Sequence, residues 1–289
     1  MSNKALIYML FFSLFWSIDI LLGKWIYMQG IDPFQWIVHV YFFASIFWLI
    51  YMIRMDAFQP THLIKQLKYP FLIVATTAAI WTSLSYVGLN FTQAINYSFL
   101  VQSSMLFTVI FAHVRFTDEK ITRIKSWLMV VFLLGIYLVS TGWTLLIPQW
   151  WDLFVVAGAV FFAINNITIK HCIRWWLQVP TIILWRNIAT VLIWICMSLL
   201  ILWKIVSLWD MLPYAMISAF LLCVWIFSLN KVVEYSSPSY MSMMATVNPV
   251  LVVIWASIFL GESMSVIQLL GWAIVLSSWV VLEYIRRKN

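Results

Sequence analysis

Asp19 is the one acidic residue that falls deep within an apolar stretch of this 289-residue chain. An ionised carboxylate in hydrocarbon costs about 2.5–3.5 kcal/mol even on insertion scales, so such a group faces protein or water rather than lipid. Two roles fit it. One is coupling, in which Asp19 exchanges a proton or holds a solute. The other is a structural hydrogen bond or ion pair, with Lys24, nearly a turn and a half further along, as one available partner. Two polar stripes add to it. Ser98 and Gln102 are four residues apart, as are Ser242 and Thr246, so each pair shares one helix face. Ser104 and Asn248 extend the two stripes. A stripe of this kind lines a cavity or holds helices together, and its recurrence in two parts of the chain favours the cavity.

Trp16, Trp81, Tyr86 and Trp225 lie in the middle of apolar runs, away from the interfacial belts where tryptophan usually collects. They are candidates for an aromatic box around a solute, or for a ring face that holds a cation. Ordinary packing is the alternative in a chain that is 18% aromatic. Asn165, Asn166 and Asn230 cannot be left unpaired in lipid, so they are expected to point inward. His39 and Arg186 fall about two turns into their runs. Arg186 is expected to snorkel to the cytoplasmic face, with a substrate carboxylate as its alternative partner. Lys24 and Lys170 are expected to anchor or gate at opposite membrane surfaces. Asp118, Glu119 and Glu262 precede the fifth and tenth runs, where an acid is a favourable N-terminal charge.

The elements that must position these residues are ten apolar runs, at about 5–29, 34–53, 70–91, 95–115, 126–147, 152–173, 179–203, 211–233, 239–260 and 266–285. Each is long enough to cross a hydrocarbon core of about 30 Å. With 64% hydrophobic and 9% charged residues, the chain has too much apolar surface for a water-soluble domain. The first run is too long for a signal-peptide core and has no Ala-x-Ala site, so it reads as a retained helix. The longest connection, about 54–69, leaves no room for a soluble domain.

The net charge of +7 is an orientation signal. With the N-terminus inside, cytoplasmic segments hold 14 of the 17 basic residues: Lys4, Arg54, Lys65, Lys68, Arg115, Lys120, Arg123, Lys125, Lys170, Arg174, Lys231, Arg286, Arg287 and Lys288. The outer ends hold only Lys24 and Lys204. The positive-inside rule then puts both termini in the cytoplasm, and the imbalance argues against dual topology and against a nucleic-acid partner.

The first five runs recur as the last five. Phe15-Trp16-Ser17-Ile18-Asp19 through Lys24 aligns with Phe161-Phe162-Ala163-Ile164-Asn165 through Lys170. Pro33 and His39 align with Pro180 and Arg186, and Pro70 with Pro213. Trp81, Tyr86, Ser98, Gln102 and Asp118 align with Trp225, Asn230, Ser242, Thr246 and Glu262, all at offsets of 143 to 147. Five crossings is an odd number, so two copies, 1–147 and 148–289, would lie in the membrane in opposite orientations. The expectation is an all-α polytopic membrane protein of ten transmembrane helices in two inverted five-helix repeats.

These residues carry a resemblance. The aromatic-then-Lys first run, the Pro33 and Pro180 helix starts, Leu260-Gly261-Glu262 followed by Gly271, and the stretch Ser242 to Pro249 look like EamA-type members of the drug/metabolite transporter superfamily. The resemblance spans essentially the whole chain. It implies a secondary transporter in the inner membrane that moves a small organic metabolite, often an amino acid and commonly outward. It also implies a lipid bilayer and a small molecule as partners, protons as a possible coupling ion, and no cofactor. Two departures stand out. The second helix of the family usually carries Arg after the Pro, and the first half has His39 there. The mid-helix Pro of the fourth helix is Met105 here while Pro249 is kept, which predicts a straight fourth helix and a kinked ninth.

Other classes are weaker. An importer or exchanger of a nucleotide derivative or S-adenosylmethionine would need more cavity charge than Asp19, His39 and Arg186 supply. A lipid-modifying enzyme would need clustered chemistry, and His39, His62, His113 and His171 are scattered. A non-transporting scaffold would use its polar lining for stability alone. No Walker loop, Gly-x-Gly-x-x-Gly, His-Glu-x-x-His or Gly-x-Ser-x-Gly occurs, which argues against ATP-driven transport within this chain and against an enzyme. Cys172, Cys196 and Cys223 are isolated, which predicts packing roles with no disulfide and no metal.

Overall fold

The structure, a computed structural model, describes residues 3–55, 69–116, 122–141, 150–174, 178–202, 211–263 and 265–288. His62, Lys65, Lys68, Asp118, Glu119, Lys120 and Lys204 lie outside the described residues. Among those described the elements are helical throughout. They are α1 (Asn3–Met28), α2 (Pro33–Arg54), α3 (Tyr69–Phe91), α4 (Ala94–Val101), α5 (Ser104–Arg115), α6 (Arg123–Thr141), α7 (Trp150–Arg174), α8 (Val179–Leu202), α9 (Leu212–Tyr235), α10 (Pro238–Met244), a 3₁₀ turn (Ala245–Val247), α11 (Asn248–Phe259) and α12 (Val266–Lys288). A bilayer offers the backbone no hydrogen-bond partners, and a helix satisfies its own. Local chemistry marks the ends. Gly30 turns the chain out of α1 at φ 80°. Asp32 then caps α2 by accepting from the N–H groups of Phe34 (2.9 Å) and Gln35 (3.2 Å), with Pro33 in the first turn where no N–H is needed.

Seven described stretches are long and apolar enough to cross a membrane: Lys4–Met28, Pro33–Arg54, Leu72–Phe91, Ala94–Arg115, Trp150–Arg174, Val179–Leu200 and Leu212–Tyr235. Three shorter apolar stretches are Ser126–Gly135, Asn248–Phe259 and Val266–Ser278. Large apolar side chains such as Leu10, Leu72, Leu192 and Leu200 are exposed on the outside of the bundle, as in a protein whose solvent is lipid. The chain is an integral membrane protein.

Ten continuous helices are not what forms, because the fourth and ninth expected runs both break. The predicted contrast between a straight fourth and a kinked ninth helix is also wrong. Between α4 and α5 the Gln102 and Ser103 N–H groups bond to Phe99 and Leu100, three residues back (3.0 Å each). Such i to i−3 bonds tighten a turn without any proline. At the equivalent place α10 ends, the 3₁₀ turn intervenes, and Pro249 sits in the first turn of α11. There its missing N–H costs nothing, so the ninth run is interrupted just before Pro249, as expected, and it is the straight fourth helix that does not form. The two halves break alike.

The two halves pack into each other. The most extensive contacts are α1 with α9, α3 with α7, α6 with α12 and α2 with α8. Under the repeat α1 corresponds to α7 and α3 to α9, so the first two are one contact seen twice. Glycine permits the α3–α7 approach: a Cβ on Gly88 would collide with Val155, and one on Gly158 would lie 3.0 Å from Ser85 Oγ. Gly88→Val should therefore cost about 1–3 kcal/mol of stability. Gly23→Ala, whose new Cβ would meet only Leu89 Cδ2 at 3.6 Å, should be neutral or slightly stabilising. Thermal midpoints of the two purified variants in detergent give the comparison.

Candidate functional site

Four buried rings fill the middle of the bundle. Trp16 of α1 stacks on Trp225 of α9 at 5.6 Å and 28° between planes, and Phe162 of α7 lies against Trp81 of α3 at 4.8 Å and 32°. The repeat carries Trp16 onto Phe162 and Trp81 onto Trp225, so these two pairs are equivalent. The cross-contacts, Trp16–Phe162 at 6.2 Å and Trp81–Trp225 at 6.1 Å, close the ring of rings. Phe12 flanks it, 5.0 Å from Trp16. Three of the four rings were legible as candidates. Phe162 was visible only as the partner of Trp16 in the repeat.

Asp19 lies a turn beyond Trp16, 4% exposed. Its Oδ1 accepts from the Ser218 hydroxyl (2.6 Å). Its Oδ2 accepts from the Trp225 indole N–H (3.1 Å) and, at a longer 3.5 Å, from the Tyr86 hydroxyl. The carboxylate thus ties α1 to α9 of the other half and to α3. It does not pair with Lys24. Buried Tyr27, Tyr41 and Tyr97 lie within its electrostatic reach along with Tyr86. Of these only Tyr86 had been singled out, since nothing in a single sequence distinguishes a tyrosine facing this centre from one facing lipid. The equivalent Asn165 makes the matching cross-half contact, donating to Val74 O (2.8 Å) and Thr77 Oγ1 (3.0 Å) on α3.

The other candidates divide. Asn166 is 1% exposed with both amide atoms unpartnered, and Asn230 donates to Ile226 O (2.7 Å) with its Oδ1 unpartnered. Gln102 is buried in the break between α4 and α5 with its Nε2 unpartnered. Ser98 and Ser242 turn back on their own helices, to Ile95 O (2.7 Å) and Ser239 O (3.0 Å). Of Thr246 only the backbone, in the 3₁₀ turn, is described. Asn248 reaches across to Ser13 O of α1 (3.2 Å). Cys172 is buried, Cys223 half-buried and Cys196 exposed, all unpaired, and no metal-holding cluster of His, Cys, Asp or Glu occurs among the described residues.

Three of the charged expectations need correction. Arg186 does not snorkel: it is 3% exposed inside the bundle, while its counterpart His39 is half-buried and bonded through Nδ1 to Gln35 O (2.8 Å). Lys24 and Lys170 do not stand free at the membrane surfaces, because each caps a helix. Lys24 Nζ donates to the carbonyls of Leu89 (3.2 Å), Asn90 (3.2 Å) and Thr92 (2.6 Å) at the end of α3. Lys170 Nζ donates to those of Val233 (2.7 Å), Glu234 (3.5 Å) and Ser236 (2.7 Å) at the end of α9. These are the carbonyls a helix C-terminus leaves unpaired.

Glu262 does not serve the helix that follows it. That helix, α12, is capped by Ser265 and Gln268, which exchange backbone and side-chain bonds of 2.8 and 3.2 Å. Gly261, at φ 67°, turns the chain so that Glu262 reaches the other half. There its two oxygens accept from the N–H groups of Ala94 (2.9 Å) and Ile95 (3.0 Å) at the start of α4. Glu262 also lies in electrostatic reach of Lys24, so the turn between α3 and α4 is clamped from both sides. Glu262→Ala should cost about 0.5–2 kcal/mol, read as a drop in thermal midpoint. Ser265→Ala should leave the α4 clamp untouched.

A two-repeat helical bundle with its buried polar and aromatic groups gathered at the contact of the repeats defines a class of polytopic membrane protein. The chain belongs to the EamA-like transporter family, whose family model matches residues 3–141 and again 149–284. Members of that family are transporters, generally without enzymatic activity. A crystal structure of a protein 12% identical to this one superposes with a TM-score of 0.75, over 100% of this chain and 99% of its own. At that identity the likeness concerns the fold. No curated protein matches the chain.

Proposed function

We propose that this protein is a secondary active transporter that exports a small organic metabolite, such as an amino acid, by alternating access between two inverted repeats. All ten apolar runs, 1–147 and 148–289 forming the two halves, would cross a bacterial-type inner membrane with both termini in the cytoplasm. The observation that carries this reading is the exchange of equivalent parts at the centre. Trp16 with Trp225 and Phe162 with Trp81 form two copies of one contact, with Asp19 on one copy and Asn165 on the other. In this reading the four packed rings would be the closed point between the two sides. Repacking one copy while the other stays shut would open the centre to one face at a time, as inverted-repeat carriers require. Asp19 and Asn165 differ in charge, so only one half would carry a coupling proton.

The test is flux in proteoliposomes of the purified protein, for pooled amino acids and small amines, with and without an imposed pH gradient. Gradient-dependent movement of one pool supports the reading. Folded protein that moves none of them refutes export of this substrate class.

A further inference from the structure

The Arg186 guanidinium is the buried charge that the contacts above leave unanswered. It sits on α8, which packs against α2 and α3, and it is 3% exposed. It is paired with no carboxylate among the described residues, and its Nε and Nη2 have no hydrogen-bond partner. A guanidinium stays charged in proteins, and an unpaired buried ion is among the costliest groups a fold can carry. Asp19 does not relieve it, because its oxygens are taken by Ser218, Trp225 and Tyr86. Yet the two ionic groups share one environment. Tyr41, Tyr86 and Cys223 each lie within electrostatic reach of both.

The identity of the unpartnered atoms sets the chemistry. Nε and Nη2 lie along one side of the guanidinium plane, where two parallel N–H bonds match the spacing of carboxylate oxygens. A single cation suits a monoanion better than a doubly charged phosphate. His39, at the equivalent position, has its Nδ1 occupied by Gln35 O, so only the second half offers the fork. We propose that the free edge of Arg186 is the docking fork for the carboxylate of the transported solute. This rests on the transport reading above and gives its site a substrate class, solutes that bear one carboxylate.

The experiment follows thermal unfolding of the purified protein in detergent through its 19 tryptophans. The probes are phenylacetate and L-phenylalanine, their carboxamides, and phenyl phosphate. Wild type is compared with Arg186→Gln and Arg186→Lys. At least one acid is expected to raise the wild-type midpoint while its amide and the phosphate do not. Arg186→Gln should abolish that response, and Arg186→Lys, a point charge without the fork, should need at least about tenfold more acid. Without ligand Arg186→Gln should be as stable as wild type or melt about 2–4 °C higher, because the unpaired charge is gone. A structural arginine would do the opposite, so a Gln variant that is less stable without ligand overturns the proposal. So does an acid response that survives in Arg186→Gln, an equal response to amides or phosphate, or no response to any acid. Flux measured in the same preparations separates the two readings. Flux unaffected by Arg186→Gln removes the fork and leaves transport standing, while acid binding without flux removes transport and leaves an anion site.

Discussion

Replacing Lys170 with Met is expected to lower the unfolding free energy by about 2–4 kcal/mol, and replacing Lys24 with Met by less. Each ammonium group answers three carbonyls at a helix C-terminus, where four have no partner within the helix and the dipole favours a cation. A hydrogen bond to a charged group contributes about 1.5–3 kcal/mol. The sum is reduced because the ammonium itself no longer has to be buried. Lys170 is the more enclosed, 9% exposed, with two contacts at 2.7 Å, whereas Lys24 has one short contact and two at 3.2 Å. Methionine keeps the length and apolar stem, so the loss reports the contacts of the ammonium group. The two lysines serve different helices, so the double variant should add to within about 0.5 kcal/mol. Denaturant titration of the four proteins in one detergent measures all of this. A Lys170→Met loss under about 0.5 kcal/mol would mean that water reaches the end of α9 and satisfies it instead.

The same lysines show what one sequence reveals and what it hides. Their equivalence could be read from Trp16 to Lys24 against Phe162 to Lys170, because offsets need only one dimension. Their partners could not, because Leu89 and Val233 lie 65 and 63 residues away and offer only backbone. Run positions were legible because hydrocarbon thickness dictates length, while the break after Val101 was not. Proline is the local signal for a break, and α4 ends on a tightened turn that Phe99 to Ser103 makes without one. Glu262 was placed at an N-terminus correctly in kind but on the wrong helix, since nothing local says that Gly261 aims it across the repeat contact. Arg186 was misplaced because a hydropathy run carries no rotation: with 100° per residue, the inward face and the lipid face are two residues apart. The repeat therefore predicted which residues correspond better than it predicted which residues meet.

Asp19→Asn is expected to leave the fold intact and cut gradient-dependent flux by at least about tenfold, or about 1.4 kcal/mol in the barrier. The fold should hold because of how the two oxygens are used. Trp225 N–H can only donate, so the asparagine oxygen must stay beside it, which turns the new NH2 toward Ser218. A hydroxyl can accept as well as donate, so Ser218 rotates and both contacts persist. The change in stability should be under about 1 kcal/mol. Asp19→Leu has no such way out. The Ser218 hydroxyl can turn back to its own helix, but the buried indole N–H is stranded, at a cost of about 1–3 kcal/mol. Asn165 shows that an amide is tolerated at the equivalent place, where it bridges to α3 in the same way. The proposed coupling therefore requires the charge of Asp19 and not its shape. Wild-type flux in a folded Asp19→Asn variant would leave the carboxylate as a tie between α1 and α9 and nothing more. Loss of flux in Asn with stability kept, beside loss of both in Leu, would separate the charge from the tie.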